Sequence, residues 1–259
     1  MVAKTKSTQA EIEKMVKILG KMEFPQWTAR QRLAIGCRIL ADNGHGSGLA
    51  GQFTARGEEP DTMWTLPYGM GFEEATASAY LLVDRDLKVL EGSGTPNMAN
   101  RFHLHVYRER PDAMALVHTH PPYSSALSMI GEPLHVSHMD TAMFYDDVAY
   151  LPTWPGVPFG DEEGEIISNA IGDKNAILLA HHGQMCAAPS IEAACVMAVF
   201  IEHAARLQLL AMAAGEIRDI EPKLGKEAHD WRHAPEAMAV TFHYFARLAL
   251  QKHTDAVFQ

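Results

Sequence analysis

Cysteine is scarce in this chain. The three present, Cys37, Cys186 and Cys195, form no CxxC pair and are odd in number, which argues against a disulfide framework and fits reduced thiols in the cytoplasm. Positive charge is also short: 22 Lys and Arg stand against 32 Asp and Glu, for a formal net charge of -10 at pH 7. The basic residues are scattered rather than gathered into a stripe, so the electrostatic footprint of nucleic-acid binding is missing. No stretch approaches about 18 uninterrupted apolar residues, and the lysine-containing start lacks the continuous apolar core of a signal peptide. We therefore expect a cytoplasmic protein with no nucleic-acid partner and no membrane partner. Repeats, linkers and low-complexity segments are lacking too. The glycine loops at 44–48 and 69–71 match neither GxGxxG nor the Walker pattern and read as tight turns.

What is present suffices for a full core. The 259 residues are 47% hydrophobic and 21% charged, ordinary for a globular chain. Ile12, Met15, Val16, Leu19 and Met22 recur at helical spacing, which predicts an amphipathic helix in an N-terminal extension over residues 1–27. A single domain over residues 28–259 is expected to follow. Its first helix starts at Thr28, a plausible N-cap, and stops at Asp42-Asn43-Gly44. Short apolar or alternating runs at 63–66, 78–83 and 88–90 then read as strands, and 96–110 as a helix.

Two apolar runs end in histidine. Ala113 to Val117 delivers His118-Thr119-His120, after which Pro121-Pro122 forbids further strand pairing. Ala176 to Ala180 delivers His181-His182-Gly183, and a helix capped by Ser190 follows. Strands and helices alternating irregularly predict a mixed sheet covered by helices. Side chains at i and i+2 of a strand share a face, so His118 and His120 can address one point. Neutral imidazoles suit zinc and similar first-row ions, whose catalytic sites take three protein ligands and keep a position open. His182, before a glycine that lets the chain turn, is the best-placed third ligand, with His181 its competitor. His103 and His105 diverge around a helix and cannot both reach such a site.

The stretch RFHLHVYRERPDAMALVHTHPPYSSALSMIGEP, with AILLAHHGQMCAAPSIEAACVMA further on, resembles the core of the class II aldolase/adducin family over residues 30–215. The resemblance implies a three-layer α/β/α sandwich with a mixed central sheet. It also implies a homotetramer with active sites between subunits, and one divalent metal per chain (zinc, manganese or iron) on His118, His120 and His182. Members include sugar-phosphate aldolases, epimerases, decarboxylases, non-haem Fe(II) oxygenases and the non-catalytic adducins.

This chain departs from the aldolase pattern. Ala99 stands where those enzymes carry their catalytic Glu, flanked by Asn97 and Asn100, and the phosphate-loop residues are replaced by Gly51-Gln52-Phe53-Thr54 and Thr95-Pro96-Asn97. Three neutral ligands around a dication favour an anionic small molecule. We expect a metal-dependent C–C lyase, of aldolase or decarboxylase type, acting on a small and in some cases aromatic oxo- or hydroxycarboxylate. Asn97 and Asn100 are the candidate substrate-binding residues. His138, near the position of an aldolase tyrosine that reaches the neighbouring subunit's site, is the candidate acid/base. The acidic pair Asp146-Asp147 reads as solvated loop.

Overall fold

A computed structural model describes residues 9–157, 160–253 and 257–259. Its centre is an eight-stranded sheet in the order β4-β3-β2-β1-β5-β8-β7-β6. The strands are β1 (Gly51–Arg56), β2 (Thr62–Thr65), β3 (Leu81–Asp84), β4 (Val89–Glu91), β5 (Ala115–Thr119), β6 (Val148–Leu151), β7 (Ala176–Leu179) and β8 (Gly183–Ala188). All neighbours are antiparallel except β6 and β7, which run parallel. The sheet is mixed and sandwiched by helices, as expected.

Alternation along the strands explains the two covering layers. Leu116, Ile177 and Met185 enter one core with Phe102, Val106, Ile167 and Ile171, which belong to α3 (Asn100–Glu109) and α5 (Asp161–Ile171). Val117, Leu178 and Cys186, each one residue on, enter the other with Leu33, Val196 and Phe242. Those lie on α2 (Ala29–Leu40), α6 (Ile191–Ala214) and α8 (Pro235–His253), beside α4 (Pro122–Met129). A strand buried on both faces cannot slip by one residue without exchanging its two cores. His118 has the parity of Leu116 and therefore faces the α3 side.

Local signals set the helix ends. Thr28 accepts the Gln31 amide and Gln31 returns a bond to Thr28, a capping box at the start of α2. Ser190 accepts the Ala193 amide at 3.1 Å and starts α6. By length and composition α6 could cross a membrane, yet residues along it from Ile191 to Gln208 are buried against the sheet and its neighbouring helices. The N-terminal helix α1 (Gln9–Leu19) has no buried residue and rests near α8. Between α6 and α8 stands α7 (Pro222–Arg232).

Candidate metal centre

The sheet order brings the two histidine segments together. β5 lies antiparallel to β8, with Thr119 opposite Gln184, so the end of one strand meets the beginning of the other. His118 is in β5, His120 follows it, and His182 precedes β8. β7 and β8 form a tight hairpin in which Leu179 pairs with Gly183 and His181 takes a positive φ of 56°. The two adjacent histidines thus sit on a turn, not on a strand, and its left-handed step separates their side chains. Gly183 is required for space: a Cβ there would lie 2.4 Å from the Thr119 carbonyl oxygen and 2.7 Å from the His120 ring.

Ligand nitrogens of His118, His120 and His182 all lie within 4.8 Å of one another, and the three ring centroids are 4.6–4.7 Å apart. Nδ1 of His118 donates to the Gln184 carbonyl oxygen at 2.9 Å; a carbonyl only accepts, so the proton of the neutral ring is on Nδ1 and Nε2 carries a lone pair. That Nε2 is 2.8 Å from Nε2 of His120. Two nitrogens so close need a proton or a cation between them, which is the chemistry of a ligand pair. Burial, then the neighbouring imidazoles, holds His118 far below the ordinary histidine range. Burial likewise lowers His120, and with the proximity of His120 brings His182 to about 4. All three are neutral near pH 7, the form that binds metal. The donor set fits a divalent ion with an open position.

A cavity of about 380 Å³ opens over these rings, walled by Gln52, Asn97, Ala99 and His181 and rimmed by Tyr68 and Trp154. No Asp, Glu, Lys or Arg lines it among the described residues. Gln52 is opposite His118 across the β1–β5 ladder, and its Oε1 is buried without a partner. Ala99 is the residue before α3, and its amide is held by Asn97 Oδ1 at 3.0 Å.

The remaining expected site residues lie elsewhere. Asn100 is fully buried behind the wall and donates to Thr65 Oγ1 at 2.9 Å. His138 caps the 3-10 turn Met139–Phe144, with its side chain 55% exposed and its Nδ1 accepting the Asp140 amide at 3.2 Å. It does not line the cavity of its own chain. His103 bonds Thr54 at 2.8 Å and His105 bonds Asp161 at 3.1 Å. Sequence reasoning passed over Tyr68 and Trp154, which stand on loops where a lone aromatic residue gives no signal. The family profile of the Class II Aldolase and Adducin N-terminal domain matches residues 31–209.

The chain belongs to the class II aldolase/adducin family.

Among its relatives, Decarboxylase NovR of Streptomyces niveus is 30% identical over 75% of this chain and 74% of that protein. The 4-hydroxy-3-prenylphenylpyruvate oxygenase/4-hydroxy-3-prenylbenzoate synthase of Streptomyces roseochromogenus subsp. oscitans is 29% identical over 75% of this chain and 72% of that one. In structure, the L-fuculose 1-phosphate aldolase from Glaciozyma antarctica PI12 superposes with a TM-score of 0.83 and 26% identity, covering 95% of this chain and 99% of the other.

Proposed function

We propose that this family member is a metal-dependent lyase of C–C bonds, of aldolase or decarboxylase type, acting in the cytoplasm on a small oxo- or hydroxycarboxylate, aromatic ones included. The observation that carries this reading is the cavity wall, in which imidazoles, carboxamides and apolar surface meet with no charged side chain among the described lining residues. His118, His120 and His182 would hold one divalent ion per chain, zinc, manganese or iron, which supplies Lewis-acid stabilisation of the enolate left by C–C cleavage. Neutral ligands leave the positive charge of such a site uncompensated, so the wall selects an anionic substrate.

The chain's own groups divide the remaining work. The unpartnered Gln52 Oε1 is an acceptor for a substrate hydroxyl, and the Asn97 amide faces the same space. Asn100 acts from behind, holding the start of α3 through Thr65. Tyr68 and Trp154 at the rim offer aromatic faces to a ring on the substrate. Among the described residues this wall holds no carboxyl acid; besides Tyr68 and His181, which line it, a proton donor can come from a neighbouring subunit. In a homotetramer with active sites between subunits, the exposed His138 would supply it to a neighbour's cavity.

A second reading, a non-haem Fe(II) oxygenase, is favoured by the same carboxylate-free wall together with the likeness to the Streptomyces roseochromogenus protein. A non-catalytic, adducin-like role leaves the complete ligand trio without a purpose. The deciding test is a panel of fuculose, rhamnulose and ribulose phosphates beside oxo- and hydroxycarboxylates, each with Zn²⁺, Mn²⁺ and Fe²⁺. We expect turnover of a carboxylate and little of any sugar phosphate, because general acid–base groups such as the one absent at Ala99 contribute about 10²–10⁴-fold. Sugar-phosphate turnover above about 1 per second would overturn the proposal, and oxygen consumption dependent on Fe²⁺ would promote the second reading.

A further inference from the structure

Away from the cavity, Asp147 departs from its expected place as a solvated loop residue. Asp146 is exposed, but Asp147 is only 7% exposed and lies beside an i, i+4 pair of histidines, His229 in α7 and His233 just after it. Its Oδ2 is 3.1 Å from His229 Nε2 and 3.5 Å from His233 Nε2. The carbonyl oxygen of Met143 is 2.8 Å from the same His233 nitrogen. Two imidazole nitrogens and a carboxylate oxygen thus lie within 4.8 Å of one another, and the Met143 carbonyl oxygen abuts the His233 nitrogen.

These separations resemble those of a coordination shell. Donors bound tetrahedrally at about 2.0–2.1 Å stand about 3.3 Å from one another. The surroundings also match what orients metal ligands. Asp147 is fixed by both Asn175 donors, the backbone amide on Oδ1 and Nδ2 on the other oxygen, each at 2.8 Å. Asn175 Oδ1 is in turn held by Arg110 at 3.2 Å. On the far side of the first imidazole, His229 Nδ1 is 3.0 Å from the Asp230 carboxylate, the carboxylate–histidine pairing found behind many zinc ligands. The helix is seated tightly enough to keep this register: a Cβ on Gly225 would lie 2.5 Å from the Tyr145 ring.

We propose that Asp147, His229 and His233 form a second divalent-metal site, of the zinc class, with the Met143 carbonyl oxygen as its fourth donor. The site is built for structure rather than turnover, since four protein donors close the shell. It fastens α7, which lies beyond the region matched by the family profile, to the strand that edges the sheet. For the ion to bind, both Nε2 atoms lose a proton. His233 Nε2 gives up the one it donates to Met143, its ring keeping one proton on Nδ1. His229, which the Asp147 and Asp230 carboxylates hold protonated above the ordinary histidine range, loses the one on Nε2 and keeps Nδ1–H toward Asp230.

This inference is independent of the cavity histidines, and one experiment separates the two. Metal-free full-length protein is reconstituted with Zn²⁺ alone, desalted and counted by inductively coupled plasma mass spectrometry. A His118→Ala/His120→Ala variant leaves the second cluster untouched and should retain about one zinc per chain, against about two in the unaltered protein. Its zinc-edge X-ray absorption should show two imidazoles in a mixed nitrogen and oxygen shell, and Zn²⁺ should raise its Tm. A His229→Asn/His233→Asn variant should lose one zinc while keeping the one at the cavity; if that variant does not fold, the first variant decides alone. A natively folded His118→Ala/His120→Ala protein that holds no zinc overturns the proposal and leaves the cluster as a hydrogen-bonded ion pair.

Discussion

His118 lies one residue out of register from Gln184 across the β5–β8 ladder, and its Nδ1–H donates to the Gln184 carbonyl oxygen at 2.9 Å. A strand neighbour therefore chooses the tautomer of a candidate ligand. The backbone does this, so no side-chain substitution at position 184 removes the acceptor itself.

The ligand trio makes the first prediction. His120→Ala should cost one equivalent of divalent metal and the lyase activity, while far-UV circular dichroism stays native, because the position is a strand end at the cavity rather than core. Metal content equal to that of the unaltered protein would refute the assignment.

Gly183→Ala tests the close approach of the β7–β8 hairpin to His120. The added methyl meets the Thr119 carbonyl oxygen and the His120 ring, and such overpacking costs about 1–3 kcal/mol. Urea unfolding should register that loss, and metal affinity should fall with it. A variant with unchanged midpoint and affinity would mean that the hairpin moves freely.

The secondary structure was largely legible where its determinants are local. Thr28 and Ser190 announce their helices through caps, Pro121-Pro122 ends β5, and the histidine-bearing strand ends read directly from apolar runs. β8 was missed. Its sequence, GQMCAA, lacks the β-branched and aromatic residues that mark strands, and it is a strand because β5 and β7 flank it. The separation of His181 from His182 likewise comes from a positive φ that alternation along a strand does not anticipate. Asp147 was misread for a related reason: an acidic pair in a loop looks solvated until the helix that covers it is known.

Glu202 should position the corner that carries His120. Its carboxylate accepts the amides of Tyr123 at 2.9 Å and Ser124 at 2.8 Å, the first turn of α4. Glu202→Ala leaves those donors unpaired, for a loss of about 1–3 kcal/mol. Burial raises the Glu202 carboxyl above its ordinary 4.5 despite those bonds. The folded state thus keeps this proton to higher pH than the unfolded chain does. Its contribution is full below the unfolded value and declines as pH rises through the folded one. Glu202→Gln should flatten that part of the stability profile in denaturant titrations from acid to neutral pH, and an unaltered profile would contradict the assignment.

Trp154 should matter for aromatic substrates only. Replacing it by Ala removes a rim contact worth about 0.5–1.5 kcal/mol, so KM for an aromatic oxo-acid should rise about 2- to 12-fold with that for an aliphatic one nearly unchanged. Equal effects on both would show that the ring does no more than shape the rim.

His138→Ala should lower kcat by about 10²–10⁴-fold and leave metal content intact. Mixing it with an inactive His120→Ala protein should restore part of the activity if the residue works across subunits. No recovery in a demonstrably mixed oligomer would confine His138 to its own chain or remove it from the reaction.

The parallel pairing of β6 with β7 has a consequence for how this protein can change over time. Parallel neighbours need a crossover, and here that crossover begins with the segment bearing Trp154, before α5. The Trp154 side of the cavity rim is thus carried by this connection, and Tyr68 by the one between β2 and β3, whereas the histidine trio is moored to β5 and the β7–β8 hairpin. Insertions and substitutions can accumulate at the rim and redirect substrate choice while the ligands stay fixed.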